Sequence, residues 1–243
     1  MVLAIDIGNT RIKAALFEDS TLLYSFIFFK KEFKKSIENI FKNHKNINNL
    51  IVSSVGSITK EDFEAFESKV PITFITNLIA FPFENLYKTP NTVGIDRLVL
   101  ASGAVLMFPN QNRLVIDAGT CITYDFINEK NQYLGGAISP GIRLRYESLH
   151  NYTAKLPLLD MKLPDELIGK STNDSIHSGV INGVINEIDG FIDQYREQYS
   201  KFIIILTGGD TDFLAKRLKN TIFANPNFLL ESLNQTFQYI NQK

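Results

Sequence analysis

The sequence predicts an α/β fold of two related lobes, each of β-β-β-α-β-α-β order, with a cleft between them. A repeated phrase is the first reason. Residues 4–8 read Ala-Ile-Asp-Ile-Gly and residues 115–119 read Val-Ile-Asp-Ala-Gly, so an apolar strand ends in Asp and Gly twice. Hydroxyl or amide residues follow each copy, Asn9 and Thr10 in one and Thr120 in the other. The second reason is what comes next: another β-like run, Ile12–Phe17 or Ile122–Ile127, which makes each copy a strand–turn–strand unit. The offset stays constant from Asp6 and Asp117 through Gly8 and Gly119 to Glu18 and Glu129. Duplication fits this better than coincidence.

The order of elements is the third reason. Strands are predicted at Val2–Asp6, Arg11–Phe17 and Leu22–Phe29, parted by Gly-Asn and Asp-Ser turns. A helix follows over Lys31–Asn43, because Phe33, Ile37, Ile40 and Phe41 recur at helical spacing and leave the lysines on the wet face. Strand Leu50–Val55, helix Lys60–Ser68 and strand Ile72–Thr76 complete the order of a ribonuclease-H-like lobe. Phe81–Thr92, with Pro82 and Pro90, reads as a long loop, and helix Ile95–Met107 leads to a linker at Pro109–Asn112. The expected domains are therefore 1–112 and 113–243. The second half repeats the order through strands Arg113–Asp117, Thr120–Ile127 and Gln132–Ser139, then a helical stretch from Ile142 to Tyr152. A long helix begins near Asn173, where Asn173 or Asp174 is the expected cap. Strand Phe202–Leu206, helix Asp212–Lys219, a short strand near Ile222 and a closing helix from Leu230 finish the chain.

Composition narrows the classes. At 243 residues, 44% of them hydrophobic, the chain can bury a core, and a net charge of −1 offers no global field to nucleic acid or an anionic membrane. Cys121 is the only cysteine, which excludes an intrachain disulfide and suits a reducing, cytoplasmic setting. Asp6 interrupts the first apolar run, so a signal peptide is not expected there. The longest apolar stretch, Leu98–Phe108, is too short to span a bilayer. His44, His150 and His177 are scattered without metal-ligand spacing, and no His neighbours Cys121.

In Asp6-Ile7-Gly8-Asn9-Thr10-Arg11-Ile12-Lys13, glycine lets backbone amides approach phosphate oxygens, Asn and Thr donate, and Lys13 adds positive charge. Asp6 repels phosphate but suits a hydrated Mg²⁺ bridging phosphates. An ordinary Asx-type hairpin explains one copy equally well, but it explains two copies less well. Gly94-Ile95-Asp96-Arg97 begins a helix, where Asp96 either caps it, pairs with Arg97, or accepts a proton from a kinase's acceptor hydroxyl. Spacing does not separate these three roles. Gly135–Gly141 and Gly208-Gly209-Asp210 are glycine-rich turns at strand ends, neither a P-loop nor a Rossmann fingerprint.

Six motifs in order carry a resemblance: Asp6–Lys13, Tyr87 with Gly94–Arg97, Val115–Thr120, Gly135–Gly141, Thr172 with Ser175–Gly179, and Thr207–Asp210. Together they resemble a type III pantothenate kinase, of the acetate and sugar kinase, heat-shock 70 and actin superfamily, over essentially the whole chain. The resemblance implies ATP-dependent phosphorylation of pantothenate to 4′-phosphopantothenate, the first step of coenzyme A biosynthesis. It implies that Asp6 through Lys13 and Thr120 bind ATP, with Asp6 helping to hold Mg²⁺. Asp96 would be the general base, and Tyr87, Gly94, Ile95, Asp96, Arg97 and Thr172 would contact pantothenate. Asp117 would bind a monovalent cation, K⁺ or NH₄⁺. A homodimer is also implied, with the long helix after Asn173 a candidate interface. Ile95 departs from the smaller Ala common at that position, which would narrow the pocket. Two rivals are a non-catalytic relative acting as an accessory factor for transcription, and a related kinase or phosphatase with another small substrate. Retention of Asp6, Asp96, Arg97, Asp117 and Thr120 argues against the first, and Gly94–Arg97 with Tyr87 against the second.

Overall fold

Near-continuous apolar runs build the central strands of the first sheet, and the alternation of side chains along each strand decides which way its polar residues face. The computed structural model describes residues 1–54 and 58–242. Strand β1 (Val2–Ile7) pairs antiparallel with β2 (Ile12–Glu18), placing Asp6 opposite Lys13, and β3 (Thr21–Phe28) extends that side. After helix α1 (Phe33–Asn43), β4 (Asn49–Ser54) runs parallel to β1 with Ser53 beside Asp6. Val55, the last residue of the expected fourth strand, lies outside the described residues. Helix α2 (Glu64–Glu67) and β5 (Ile72–Phe74) close the order β3-β2-β1-β4-β5. Leu3, Ile5 and Ile7 join Ile12, Ala14 and Leu16 in one core with Phe33, Ile37, Ile40 and Phe66. Each buried Leu, Ile or Phe among them contributes about 1.5–3 kcal/mol, which holds the register. Side chains alternate along a strand, and Asp6 and Lys13 therefore share the opposite face.

The expected loop at 81–92 contains a short strand, β6 (Glu84–Asn85), which pairs with residues 132 and 133 far along the chain. Local sequence names no such distant partner, so the reading as loop is corrected there. Helix α3 (Ile95–Met107) follows as expected. The second sheet comprises β7 (Arg113–Ala118), β8 (Cys121–Ile127), β9 (Gln132–Pro140), β10 (Ile203–Thr207) and β11 (Phe223–Ala224). Its order is β11-β10-β7-β8-β9, with β6 at the outer edge of β9. Helices α4 (Ile142–Asn151), α5 (Thr172–Gln198) and α6 (Thr211–Ala215) intervene. Strand order β3-β2-β1-β4-β5 thus reappears as β9-β8-β7-β10-β11, and the duplication is a duplication of topology. In the second core Leu114, Ile116 and Ala118 pack with Ile181, Val184, Ile188 and Leu214. Asp117 faces away from that core by the same alternation that turns Asp6.

By compactness the chain divides into residues 1–110, 127–135 and 227–243 on one hand, and 111–126 and 136–226 on the other. Closing helix α7 (Phe228–Asn241) therefore belongs to the first unit, whereas a single cut at 112/113 assigns it to the second. Its buried Leu230, Leu233 and Phe237 need an apolar partner, and α7 finds it on α3, β1, β2 and β4. Gly103 makes the approach possible, since a Cβ there would lie 1.9 Å from Ser232 Oγ. Elsewhere the helices are shorter than expected. Lys60–Phe63 is a 3₁₀ turn before α2, and α6 ends at Ala215. Ser171, rather than Asn173 or Asp174, caps α5; its Oγ accepts from the Asp174 amide at 3.2 Å. No helix among the described residues is long and apolar enough to cross a membrane.

Candidate active site

The first Asp-Gly turn is a tight hairpin with a buried carboxylate at its base. Asp6 is 6% exposed, and its Oδ1 accepts from Ser53 Oγ at 2.8 Å. Gly8 sits close under the returning strand, where a Cβ would lie 3.1 Å from the Arg11 carbonyl oxygen. Asn9, Thr10 and Arg11 are exposed at the tip, and the Arg11 guanidinium stacks on Phe29, 5.6 Å from its centroid. Ile7 and Ile12 are fully buried in the core, so only their backbone is available to a ligand. This hairpin can offer amides and polar side chains to an anion while Asp6 stands on the same face as Lys13.

Several distant turns converge on the second copy. Asp117 is half-buried at the end of β7, with Thr207 of β10 beside it in register. Thr120 is exposed, and its carbonyl accepts from the Gly141 amide at 3.1 Å. A Cβ on Gly141 would meet the Gly119 carbonyl oxygen at 2.1 Å, so only glycine fits that crossing. Gly208 has φ of 101°, and a Cβ there would lie 2.2 Å from the Ala118 carbonyl oxygen and 2.5 Å from Asp117 Oδ1. The Asp210 amide donates to the Ala118 carbonyl at 3.0 Å, and burial pushes the Asp210 carboxyl above the usual range. The glycine runs that looked weak singly are here what allows close backbone approach to the Asp117 turn.

The third group lies at the start of α3. A Cβ on Gly94 would fall 2.4 Å from Asp96 Oδ1, so glycine leaves the space that this carboxylate occupies. Oδ1 accepts from the Arg97 amide at 2.9 Å, which satisfies a helix-end donor and fixes the carboxylate's direction. Arg97 is buried with its guanidinium 5.9 Å from the Tyr87 centroid. Tyr87 is seated by β6 and β9: its amide donates to Asn85 Oδ1 at 3.0 Å, and its ring lies 2.8 Å from where a Cβ on Gly135 would stand. Tyr87, Gly94, Asp96 and Arg97 are thus assembled in one unit. Ile95 is buried, and Thr172 stands exposed as the first residue of α5 in the other unit. Sequence reasoning missed Ser53 and gave Thr207 no role; a strand-end hydroxyl in register with each repeated Asp was the available signal.

The carboxylates fit the cations the resemblance implies. Asp6 is a single anchored carboxylate, which suits an ion that keeps most of its water, as Mg²⁺ does. Beside Asp117 the buried Thr207 hydroxyl lacks a hydrogen-bond partner, an oxygen donor suited to a hard cation. Among the described residues no three His, Cys, Asp or Glu side chains group to form an all-protein metal cage.

Two ribonuclease-H-type sheets with an acidic turn on each give the fold of the sugar-kinase and actin class. Solved structures agree on the fold. A protein from Campylobacter jejuni described as a Baf-family transcriptional activator superposes with a TM-score of 0.66 at 22% identity, covering 99% of this chain and 100% of that one. A glucokinase from an Antarctic psychrotroph gives 0.52 at 12% identity, covering 100% and 99%. At the level of sequence, the type III pantothenate kinase family matches residues 2–194. A type III pantothenate kinase of Flavobacterium johnsoniae is 63% identical over 239 residues, 98% of both chains. The chain belongs to the type III pantothenate kinase family.

Proposed function

We infer that this chain transfers the γ-phosphoryl group of ATP to pantothenate, giving 4′-phosphopantothenate, the first step of coenzyme A biosynthesis. The observation that carries the reading is the assembly of Tyr87, Gly94, Asp96 and Arg97 around one helix start. Phosphoryl transfer asks the protein mainly for positioning and charge stabilisation. Asp96 accepts the proton of the pantothenate hydroxyl; the Arg97 amide aims its carboxylate, and Gly94 keeps the space open. Tyr87 and Arg97, stacked on one another, hold the substrate, with Gly94 and Ile95 lining it and Thr172 as a further contact. Residues 6–13 and Thr120 take ATP, with Lys13 adding positive charge. Mg²⁺ at Asp6 and a monovalent cation (K⁺ or NH₄⁺) at Asp117 offset polyphosphate charge when bound. We further read the protein as a cytoplasmic homodimer, built from a duplication whose second copy begins at Arg113, with no nucleic-acid or membrane partner.

Purified protein assayed with ATP, pantothenate, Mg²⁺ and K⁺ tests the reading. The wild type should turn over pantothenate. Asp96→Asn should lower kcat by on the order of 10²–10⁴-fold while ATP affinity stays within a few-fold. Turnover near wild type in that variant shows that the base lies elsewhere, and an inactive wild type removes the substrate assignment.

A further inference from the structure

We propose that the Thr207 hydroxyl is a second protein ligand of the monovalent cation at Asp117, so that β10 as well as β7 holds the ion. This rests on the reading of Asp117 as a cation ligand and goes beyond it by naming a residue on another strand. The first lobe shows what the position does when it has a partner. There Ser53, in register with Asp6 on the parallel strand, donates its hydroxyl to the carboxylate at 2.8 Å. In the second lobe Thr207 stands in the same register beside Asp117 and is 1% exposed. Its Oγ1 is shut off from solvent and has no hydrogen-bond partner. Such a buried hydroxyl destabilises the fold, and valine would fill the same volume without that penalty.

Parallel neighbours in register project to one face, so Thr207 and Asp117 point the same way. The Asp117 carboxylate also leans towards the end of β10, because its Oδ1 lies 2.5 Å from where a Cβ on the next residue, Gly208, would stand. Glycine at 208, with φ of 101°, is what lets that carboxylate come so close. The donor set is one carboxylate and one neutral hydroxyl oxygen. A single formal negative charge with oxygen donors suits a monovalent cation; divalent ions held by protein alone gather several carboxylates. A hydroxyl can accept an ion on its lone pairs while keeping its proton.

Thermal unfolding of the full chain, titrated with KCl at fixed Mg-ADP and constant ionic strength set by choline chloride, decides the question. Wild type should gain Tm with K⁺, Thr207→Ser should follow it, and Thr207→Val should need about tenfold more K⁺, the effect of losing one ligand to a charged group. Without K⁺, Thr207→Val should melt at or above wild type, since the unpaired hydroxyl is gone. A lower Tm for that variant without K⁺ would mean the hydroxyl serves the fold, and the proposal is overturned. If Thr207→Val keeps the wild-type K⁺ midpoint while Asp117→Asn loses the response, Asp117 remains the cation ligand and Thr207 is not one. If wild type ignores K⁺, or Asp117→Asn responds normally, the cation site itself is misplaced and the proposal falls with it.

Discussion

At Asp6 the neighbouring parallel strand supplies a serine that donates to the carboxylate; at Asp117 the same register holds a threonine whose hydroxyl has no such partner. The strands, the Asp-Gly phrase and the alternation that turns each Asp from its own core are shared. What surrounds the two turns is not. Around Asp6 the only tight contact a Cβ on Gly8 would make, at 3.1 Å, is with Arg11 of the same hairpin. Around Asp117, Gly141 and Gly208 bring two other segments into backbone contact with residues 117–120. Duplication supplied two equal carboxylates, and their neighbours made one internally satisfied and the other crowded by borrowed turns. A sequence repeat therefore identifies equivalent positions without making them equivalent in chemistry.

The sharpest way to break this contrast is to add one methyl group to each turn. Gly208→Ala should cost about 2–4 kcal/mol, because it combines a positive φ with overlap on the Ala118 carbonyl oxygen and the Asp117 carboxylate. Gly8→Ala meets the Arg11 oxygen at 3.1 Å and the Asp6 carboxylate only at an ordinary 3.9 Å, and should cost about 1 kcal/mol or less. Urea unfolding of both variants measures the difference, and equal losses would erase the distinction between a crowded and a self-contained turn.

A second comparison removes each hydroxyl. Ser53→Ala removes a hydroxyl that donates to a buried carboxylate and should destabilise by about 1.5–3 kcal/mol, whereas Thr207→Val in the absence of K⁺ should cost nothing. If Ser53→Ala is neutral in chemical denaturation, Asp6 is supported by other groups and the pairing is not what sets it apart.

The smallest effect concerns the polar cluster beneath the second lobe's helices. Glu187 accepts from Tyr124 at 3.1 Å and from Ser139 at 2.5 Å, and pairs with Arg145 at 2.6 Å. Burial raises its pKa, but Arg145, Ser139 and Tyr124 outweigh that and hold the carboxyl below the usual range. A depressed pKa contributes stability above the unfolded value near 4.5, and that stability is lost as pH falls through the folded value. Because Glu187 is a quarter exposed, the contribution is about 1 kcal/mol after screening. Glu187→Gln should flatten the fall in stability between pH 5 and 3 by about that amount; an unchanged acid limb would show that the cluster is not linked to folding.

Much of the molecule was readable in the chain. Apolar runs bounded by turn residues placed β1, β2, β7 and β8, and helical spacing placed α1 and α3, to within a residue or two, because both signals are local consequences of burial. The repeated Asp-Gly phrase likewise announced the shared topology, since a strand, a tight turn and a returning strand are contiguous in sequence. Asp96 was legible as a candidate, but its choice between cap and base was not; in the fold its carboxylate takes the Arg97 amide and occupies the gap left by Gly94. What no local pattern could state were pairings across long separations: β6 against β9, α7 on α3, Ser53 on Asp6 and Thr207 beside Asp117. The sequence by itself determined which residues must be buried and where the acidic turns recur. Only the tertiary structure decided which hydroxyl, glycine or helix meets each turn, because those choices are made by packing surfaces that are distant along the chain and adjacent only once it has folded.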